Sequence, residues 1–222
     1  MQSDNEFKVP KQVLIMTSVE AEKEAVLRGI NGLESFDVEV AGVGPVASAI
    51  STTIALSNKG YDLVINMGIA GGFKEIAEIG SIVVGTDSIA ADLGAETAEG
   101  FQTIEELGFG TSLAIADHEL VTKLKDKLKD TELIGQAAPI LTLSTVTGTV
   151  ETAQQLQQRY PKAAAEAMEG FGVAMAAKKK GIPFLEIRSI SNIIGPRDRD
   201  SWKIKDALVS LEKTAKLVTE VV

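Results

Sequence analysis

Short apolar runs alternate with helical segments from one end of the chain to the other. Runs rich in Val, Ile and Leu predict buried strands, and the longer segments between them show apolar residues at helical spacing. This alternation is typical of an α/β fold, in which helices cover a sheet. We predict strands at 12–16, 36–40, 62–66, 80–85 (continuing towards 91), 137–143 and 182–191, and helices at 19–28, 45–57, 118–129, 151–159, 171–180 and 205–221.

One domain is the economical interpretation of this pattern. The 222 residues suffice for one well-buried core, and neither a low-complexity linker nor an internal repeat divides them. The first ten residues are polar and precede the first predicted strand. We therefore predict a single domain over 1–222, with a disordered tail at 1–10.

The composition argues against several classes of function. A net charge of -9 disfavours nucleic acid and anionic membrane surfaces as partners. We find no run of about 18 apolar residues and no signal peptide, so we expect a cytoplasmic protein. The chain has no cysteine, and its one histidine, His118, fits a solvated first turn of a helix. Thiol nucleophiles, catalytic triads and histidine-rich metal sites are therefore disfavoured, and acid–base chemistry falls to carboxylates and amides.

Two polar residues stand at neighbouring element ends without a packing reason. The predicted strand 182–191 runs directly into Asn192, and Gly195 and Pro196 then end it. Glu169 stands just before the predicted helix 171–180. Open α/β sheets bind their ligands at the carboxyl ends of strands. We therefore take Glu169 and Asn192 as candidate ligand-binding residues.

Other loops carry weaker candidates. Glu22 lies in the first turn after the first strand, where it either complements the helix dipole or points into a cleft. Three glycines in 68–72 predict a loop whose free N–H groups face a ligand. Residues 42–47 match a loose dinucleotide fingerprint, for which a tight strand-to-helix turn is an adequate explanation. The glycine-rich segment 92–112 is predicted to be irregular and to form a flap.

The motifs together resemble the purine nucleoside phosphorylase/nucleosidase superfamily, over nearly the whole chain. Seven segments in order carry the resemblance: 13–22, 41–44, 66–72, 80–84, 147–148, 167–169 and 188–192. Their spacing is similar to that of the methylthioadenosine/S-adenosylhomocysteine nucleosidases, and 183–199 with Trp202 most resembles the futalosine hydrolases of menaquinone biosynthesis. The resemblance implies a three-layer α/β/α fold with a central mixed sheet, and a nucleosidase that needs no metal or cofactor. It also implies a homo-oligomer, a dimer or larger, with the site near an interface.

The resemblance further implies roles for individual residues. Glu22 matches the general base for water, a role that suits a carboxylate. Glu169 matches the acceptor of both ribose hydroxyls, and Met168 matches the apolar floor under the sugar. Other expected substrate-binding residues are Ala70, Gly71 and Gly72 near the water, Thr149 and Val150 near the purine edge, and Arg188 and Ser191.

Asn192 departs from the adenine-cleaving pattern, which has an aspartic acid that protonates purine N7. An amide cannot deliver that proton, but its oxygen accepts from a protonated N7 and its nitrogen donates to a 6-oxo group. A 6-aminopurine would place donor against donor, which is costly in a dry site. Hypoxanthine is therefore the predicted leaving base.

The benzoate-bearing arm of futalosine suggests roles for three residues near the carboxyl terminus. Arg197 or Arg199 is a candidate for its carboxylate and Trp202 for its apolar wall, unless the arginines merely pair with Asp198. Several alternatives stay open: an adenine-type nucleosidase acting on aminofutalosine or methylthioadenosine, a phosphorylase, and a sensor that binds a nucleoside without cleaving it. A phosphorylase would need cationic residues around the glycine turn.

Overall fold

The computed structural model describes residues 12–222, so the predicted tail at 1–10 lies outside the described part of the chain. The elements alternate as the sequence predicts. The strands are β1 (Val13–Thr17), β2 (Phe36–Val40), β3 (Leu63–Gly72), β4 (Ile82–Ala90), β5 (Gly94–Thr97), β6 (Gly100–Thr103), β7 (Leu113–Ile115), β8 (Gly135–Thr142), β9 (Ala165–Ala167) and β10 (Phe184–Ile193). The helices are α1 (Glu20–Ile30), α2 (Pro45–Asn58), α3 (His118–Leu128), α4 (Val150–Arg159), α5 (Gly170–Lys180) and α6 (Ile204–Val221).

A mixed sheet forms the centre of the fold, and helices cover it. Its order is β10-β4-β8-β9-β3-β1-β2, and a further pairing of β3 with β10 closes five of these strands into a ring. β1, β2, β3 and β10 run parallel, whereas β4 runs antiparallel to β10. The mixed-sheet α/β prediction is confirmed.

Strand β1 shows why helices lie on both sides of the sheet. All five of its residues are buried. Val13 and Ile15 pack in a core with α1, α3 and α6, whereas Leu14 and Met16 pack in a second core with α5. A strand that is apolar on both faces requires cover on both faces, as in parallel sheets generally. Helix α2 packs beside α5 and leaves Val46, Ile50 and Ile54 exposed.

Two local predictions need correction, and two short strands were not predicted. Residues 68–72 are not a loop, because β3 continues through them to Gly72 between β9 and β10. The segment 92–112 is not wholly irregular, because β5 and β6 form an antiparallel hairpin within it. The three-residue strands β7 and β9 have no sequence pattern long enough to predict them. No helix in the described range is long and apolar enough to cross a membrane.

Candidate active site

A cavity of about 410 Å³ opens where the parallel strands β1, β3 and β10 end. Glu22, Glu169 and Asn192 all line it, although they are far apart in the sequence. Larger grooves occur elsewhere, but this cavity is the one to which the predicted carboxylates and amide converge. Its other lining residues are Ser18, Val19, Val43, Ile69, Ala70, Gly71, Val146, Thr147, Glu166, Ala167, Met168, Ser191, Arg197, Arg199 and Trp202.

Glu22 is held by backbone amides in the first turn of α1. Its carboxylate accepts hydrogen bonds from the N–H groups of Ser18 at 2.8 Å and Ile69 at 2.8 Å, and from Val19 at 3.3 Å. The residue is only 3% exposed. Burial raises the pKa of Glu22 above its ordinary value, although the nearby Arg188 charge and the amide bonds oppose the rise. A fixed carboxylate with a raised pKa is a stronger base than an ordinary one and is suited to accept a proton.

Glu169 lies at the junction of β9 and α5 and is 4% exposed. It accepts hydrogen bonds from the N–H groups of Gly44 at 3.2 Å and Met168 at 3.3 Å. Gly44 has a φ of 94°, a conformation that favours glycine. The glycine turn that looks like a dinucleotide fingerprint therefore presents a backbone donor to the Glu169 carboxylate.

Arg188 lies behind the cavity rather than on its wall. It is fully buried, with Nε 2.9 Å from Glu186 and Nη1 3.4 Å from Glu169. It also donates to the side-chain oxygen of Asn66. A Cβ built on Gly68 would lie 2.7 Å from both Arg188 Nη1 and Glu22 Oε1, so the guanidinium approaches both cavity carboxylates. Arg188 is thus placed to hold their charges and not to contact a ligand.

Asn192 is half-buried on β10, and its amide faces the cavity beside Ser191. The Ser191 hydroxyl is 2.9 Å from Asn192 Oδ1 and 3.2 Å from the Ala70 carbonyl, so it can donate to either oxygen. Asn192 Nδ2 donates to the Ile193 carbonyl at 3.2 Å. The amide therefore keeps one N–H and an oxygen lone pair for a ligand.

The rim of the cavity carries Arg197, Arg199 and Trp202. The two guanidinium groups lie 5.6 Å and 6.0 Å from the centre of the Trp202 ring, within cation–π range. Asp198 instead accepts from the backbone N–H of Asp200. Within the described chain neither arginine forms a salt bridge with it. The geometry does not support the alternative in which Asp198 neutralises the arginines.

Three further predicted residues do not line the cavity. Gly72 packs against the Ala77 carbonyl, since a Cβ there would lie 2.5 Å from that oxygen. Thr149 instead caps α4 by accepting from the Thr152 N–H, and Val150 begins that helix on the surface. In this loop the residues that line the cavity are Val146 and Thr147, two to four positions earlier.

Glu166 is the functional candidate that sequence reasoning missed. It is 5% exposed on β9, lines the cavity, and accepts two hydrogen bonds from Thr147, from the N–H at 2.8 Å and the hydroxyl at 2.6 Å. Burial raises its pKa, although the two bonds from Thr147 oppose the rise. The available signal was a lone carboxylate within the alanine-rich segment 163–167. Among the described residues, no cluster of three or more histidine, cysteine or acidic side chains is placed to hold a metal ion.

Comparisons with known proteins show the family of the chain. The family profile of the phosphorylase superfamily matches residues 29–222. The futalosine hydrolase of Streptomyces coelicolor is 43% identical over 90% of this chain and 91% of its own length. That of Acidothermus cellulolyticus is 44% identical over 90% and 86%. The nucleosidase for 5′-methylthioadenosine/S-adenosylhomocysteine from Colwellia psychrerythraea, solved with adenine, has a TM-score of 0.84 at 23% identity, with 96% of both chains covered.

The similarity to these two hydrolases identifies the chain as a nucleosidase, an enzyme that hydrolyses an N-glycosidic bond. Within the phosphorylase superfamily, the chain belongs to the futalosine hydrolase family.

Proposed function

We propose that this enzyme hydrolyses the N-glycosidic bond of futalosine and releases hypoxanthine and dehypoxanthinyl futalosine, a step of menaquinone biosynthesis. The observation that carries the proposal is the convergence of Glu22, Glu169 and Asn192 on one cavity. The identity of 43–44% to two futalosine hydrolases supports the choice of substrate.

Glu22 acts on the water. Glycosidic cleavage passes through an oxocarbenium-like sugar, whose C1′ the water attacks. The water oxygen bonds to C1′, its proton passes to Glu22, and the C1′–N9 electron pair leaves with the purine. The purine takes up a proton from solvent and departs as hypoxanthine, and Glu22 returns its proton to solvent afterwards. A carboxylate fixed by three backbone donors holds the water without rearrangement.

Glu169 holds the sugar. Its carboxylate accepts from the vicinal ribose hydroxyls in short charge-assisted bonds, and Met168 lies next to it on the cavity wall as the apolar floor. The bonds from Gly44 and Met168 leave lone pairs free for this role. Arg188 approaches both carboxylates, and its positive charge favours the ionised form of Glu22.

Asn192 recognises the purine base, and the residues at the cavity rim bind the benzoate-bearing arm of futalosine. The amide accepts from a protonated N7 and donates to the 6-oxo group. At the rim, Arg197 and Arg199 bind the carboxylate of the benzoate, against the wall supplied by Trp202. Neither arginine is neutralised by Asp198, which leaves both charges available to the substrate.

The test is incubation of the purified protein with futalosine and with 5′-methylthioadenosine, side by side in phosphate-free buffer. Chromatography with mass detection identifies the released base and sugar product. We expect hypoxanthine and dehypoxanthinyl futalosine. Adenine release with an equal or larger kcat/KM would contradict the base assignment, and a sugar phosphate formed only on adding phosphate would identify a phosphorylase. A sensor would bind the nucleosides and release no base.

A further inference from the structure

Glu166 is a buried cavity carboxylate to which the mechanism above gives no role. Its described partner is Thr147, which supplies one N–H and one hydroxyl donor. None of the salt bridges within residues 12–222 involves it. Burying a carboxylate without a cationic partner costs free energy. A neutral side chain could anchor the loop with a smaller desolvation cost. We therefore expect the carboxylate of Glu166 to interact with a ligand.

The strand register sets Glu166 and Asn192 on either side of Gly71. In β3, Gly71 pairs with Glu166 of β9 on one side and with Asn192 of β10 on the other. A Cβ built on Gly71 would lie 3.4 Å from Asn192 Nδ2 and 3.8 Å from Glu166 Cγ. The space directly over Gly71 is filled by Ile194, whose Cγ1 would lie 2.8 Å from that Cβ, but the Asn192 amide and the Glu166 carboxylate flank Gly71 on opposite sides and both line the cavity.

We propose that Glu166 selects the base by accepting a hydrogen bond from N1–H of a 6-oxopurine whose 6-oxo group and N7 face Asn192. This role rests on the proposed function, because it assigns a second specificity residue to the same site. A carboxylate has about four lone-pair positions, of which Thr147 uses two.

The chemistry of N1 makes this contact selective. N1 of a 6-oxopurine carries a hydrogen and donates, whereas N1 of a 6-aminopurine carries none and accepts. In an adenine held in the same orientation, the N1 lone pair would face the Glu166 carboxylate. Its 6-amino group would also face the N–H donor of Asn192. Two residues on opposite flanks of Gly71 therefore discriminate the same pair of bases through different atoms.

The competing explanation is that Glu166 only anchors the loop through Thr147. The two variants Glu166→Gln and Thr147→Val separate the explanations. Glu166→Gln keeps the size, removes the charge and sets an amide N–H beside N1, where it can donate to adenine. Thr147→Val removes one loop bond and leaves the carboxylate intact. A loop anchor predicts that both variants affect all substrates alike.

The experiment measures kcat/KM of wild type and both variants on futalosine and on its 6-amino counterpart. One charge-assisted hydrogen bond corresponds to roughly a 10- to 100-fold change. We expect Glu166→Gln to lower the futalosine-to-amino ratio by about that factor, and Thr147→Val to lower both rates while the ratio stays within about 3-fold of wild type. An unchanged ratio in Glu166→Gln, or equal changes in both variants, would overturn the proposal.

Calorimetry of hypoxanthine and adenine binding tests the role of Glu166 without relying on catalysis. Wild type is expected to bind hypoxanthine more tightly than adenine, and Glu166→Gln to lose that preference. If wild type fails to cleave futalosine yet shows this loss, the substrate assignment fails and the role of Glu166 stands. If wild type cleaves futalosine and the variant keeps its preference for hypoxanthine, the role of Glu166 fails and the proposed function stands.

Discussion

Replacing Glu22 by glutamine is expected to abolish most of the activity while the protein stays folded. The substitution keeps the shape of the side chain and removes its ability to take a proton from water. A positioned general base contributes about 10²- to 10⁴-fold to a rate. We therefore expect kcat on futalosine to fall by that factor, with KM little changed because Glu169 and Asn192 remain.

The effect of this change on stability follows from the contacts of Glu22. Its carboxylate accepts from three backbone N–H groups, and the amide of glutamine would turn a donor towards at least one of them. An unsatisfied buried donor costs about 1–3 kcal/mol. Burial raises the pKa of Glu22, which means that it disfavours the charged carboxylate. The neutral glutamine avoids this penalty, and that offsets part of the cost. For a chain of this size, even 3 kcal/mol lowers Tm by at most about 12 °C.

The assay pairs stopped-time measurement of hypoxanthine release with thermal unfolding followed by circular dichroism. Glu24→Gln, in the same helix but outside the cavity, is the matched control and should keep the wild-type rate. A Glu22→Gln enzyme that retains more than about a tenth of the wild-type kcat would refute a general-base role. Loss of the folded signal at assay temperature would instead refute the energetic reasoning about the amide contacts.

Four other predictions follow from the same geometry. The base must be ionised, so kcat/KM should fall as pH drops through the pKa of Glu22, which burial raises, and a pH profile should show this acid limb above the range of an ordinary carboxyl group. Asn192→Asp should shift the ratio of adenine to hypoxanthine release towards adenine by about 10-fold or more, measured with paired nucleosides. Arg197→Ala should raise KM for futalosine by about 10-fold and leave KM for inosine unchanged; an equal rise for both would remove its role with the arm. The apolar face of α2 centred on Ile50 is exposed, and we predict that it packs against a second copy of the chain, so Ile50→Asp should lower the mass measured by light scattering.

Much of the fold could be predicted because its elements carry strong periodic signals. The residues of β1 are apolar on both faces, and α2 begins at Pro45 directly after a glycine turn. The misassigned segment 68–72 shows the limit of this reasoning. Glycines usually indicate a turn, but here they let β3 approach its neighbours closely: Gly68 lies beside Arg188 and Glu22, and Gly72 lies beside the Ala77 carbonyl. Sequence alone does not distinguish a glycine needed for bending from one needed for close approach.

The sequence predicted cavity residues only where a polar side chain stood out at the end of a strand or helix. Glu169 and Asn192 stood out as polar groups at element ends, and both line the cavity. Glu166 lies in a three-residue strand whose register with Gly71 depends on β3 and β9, which are far apart in sequence. The loop after β8 offered several hydroxyl residues, and the choice between Thr147 and Thr149 depends on where α4 begins. The tertiary structure determines these positions, and no local sequence pattern indicates them.

The electrostatics of the cavity explain why its carboxylates surround Arg188. Two buried carboxylates near each other would normally force one to take up a proton. In the proposed mechanism Glu22 accepts a proton from water, which requires its ionised form, and Glu169 accepts from two ribose hydroxyls at once. The guanidinium of Arg188, held from behind by Glu186, approaches both, and its Nη1 has no hydrogen-bond partner within the described chain. This buried cation thus opposes the effect of burial on the pKa of Glu22, and because it approaches both carboxylates from outside the cavity, their open lone pairs are left to the substrate.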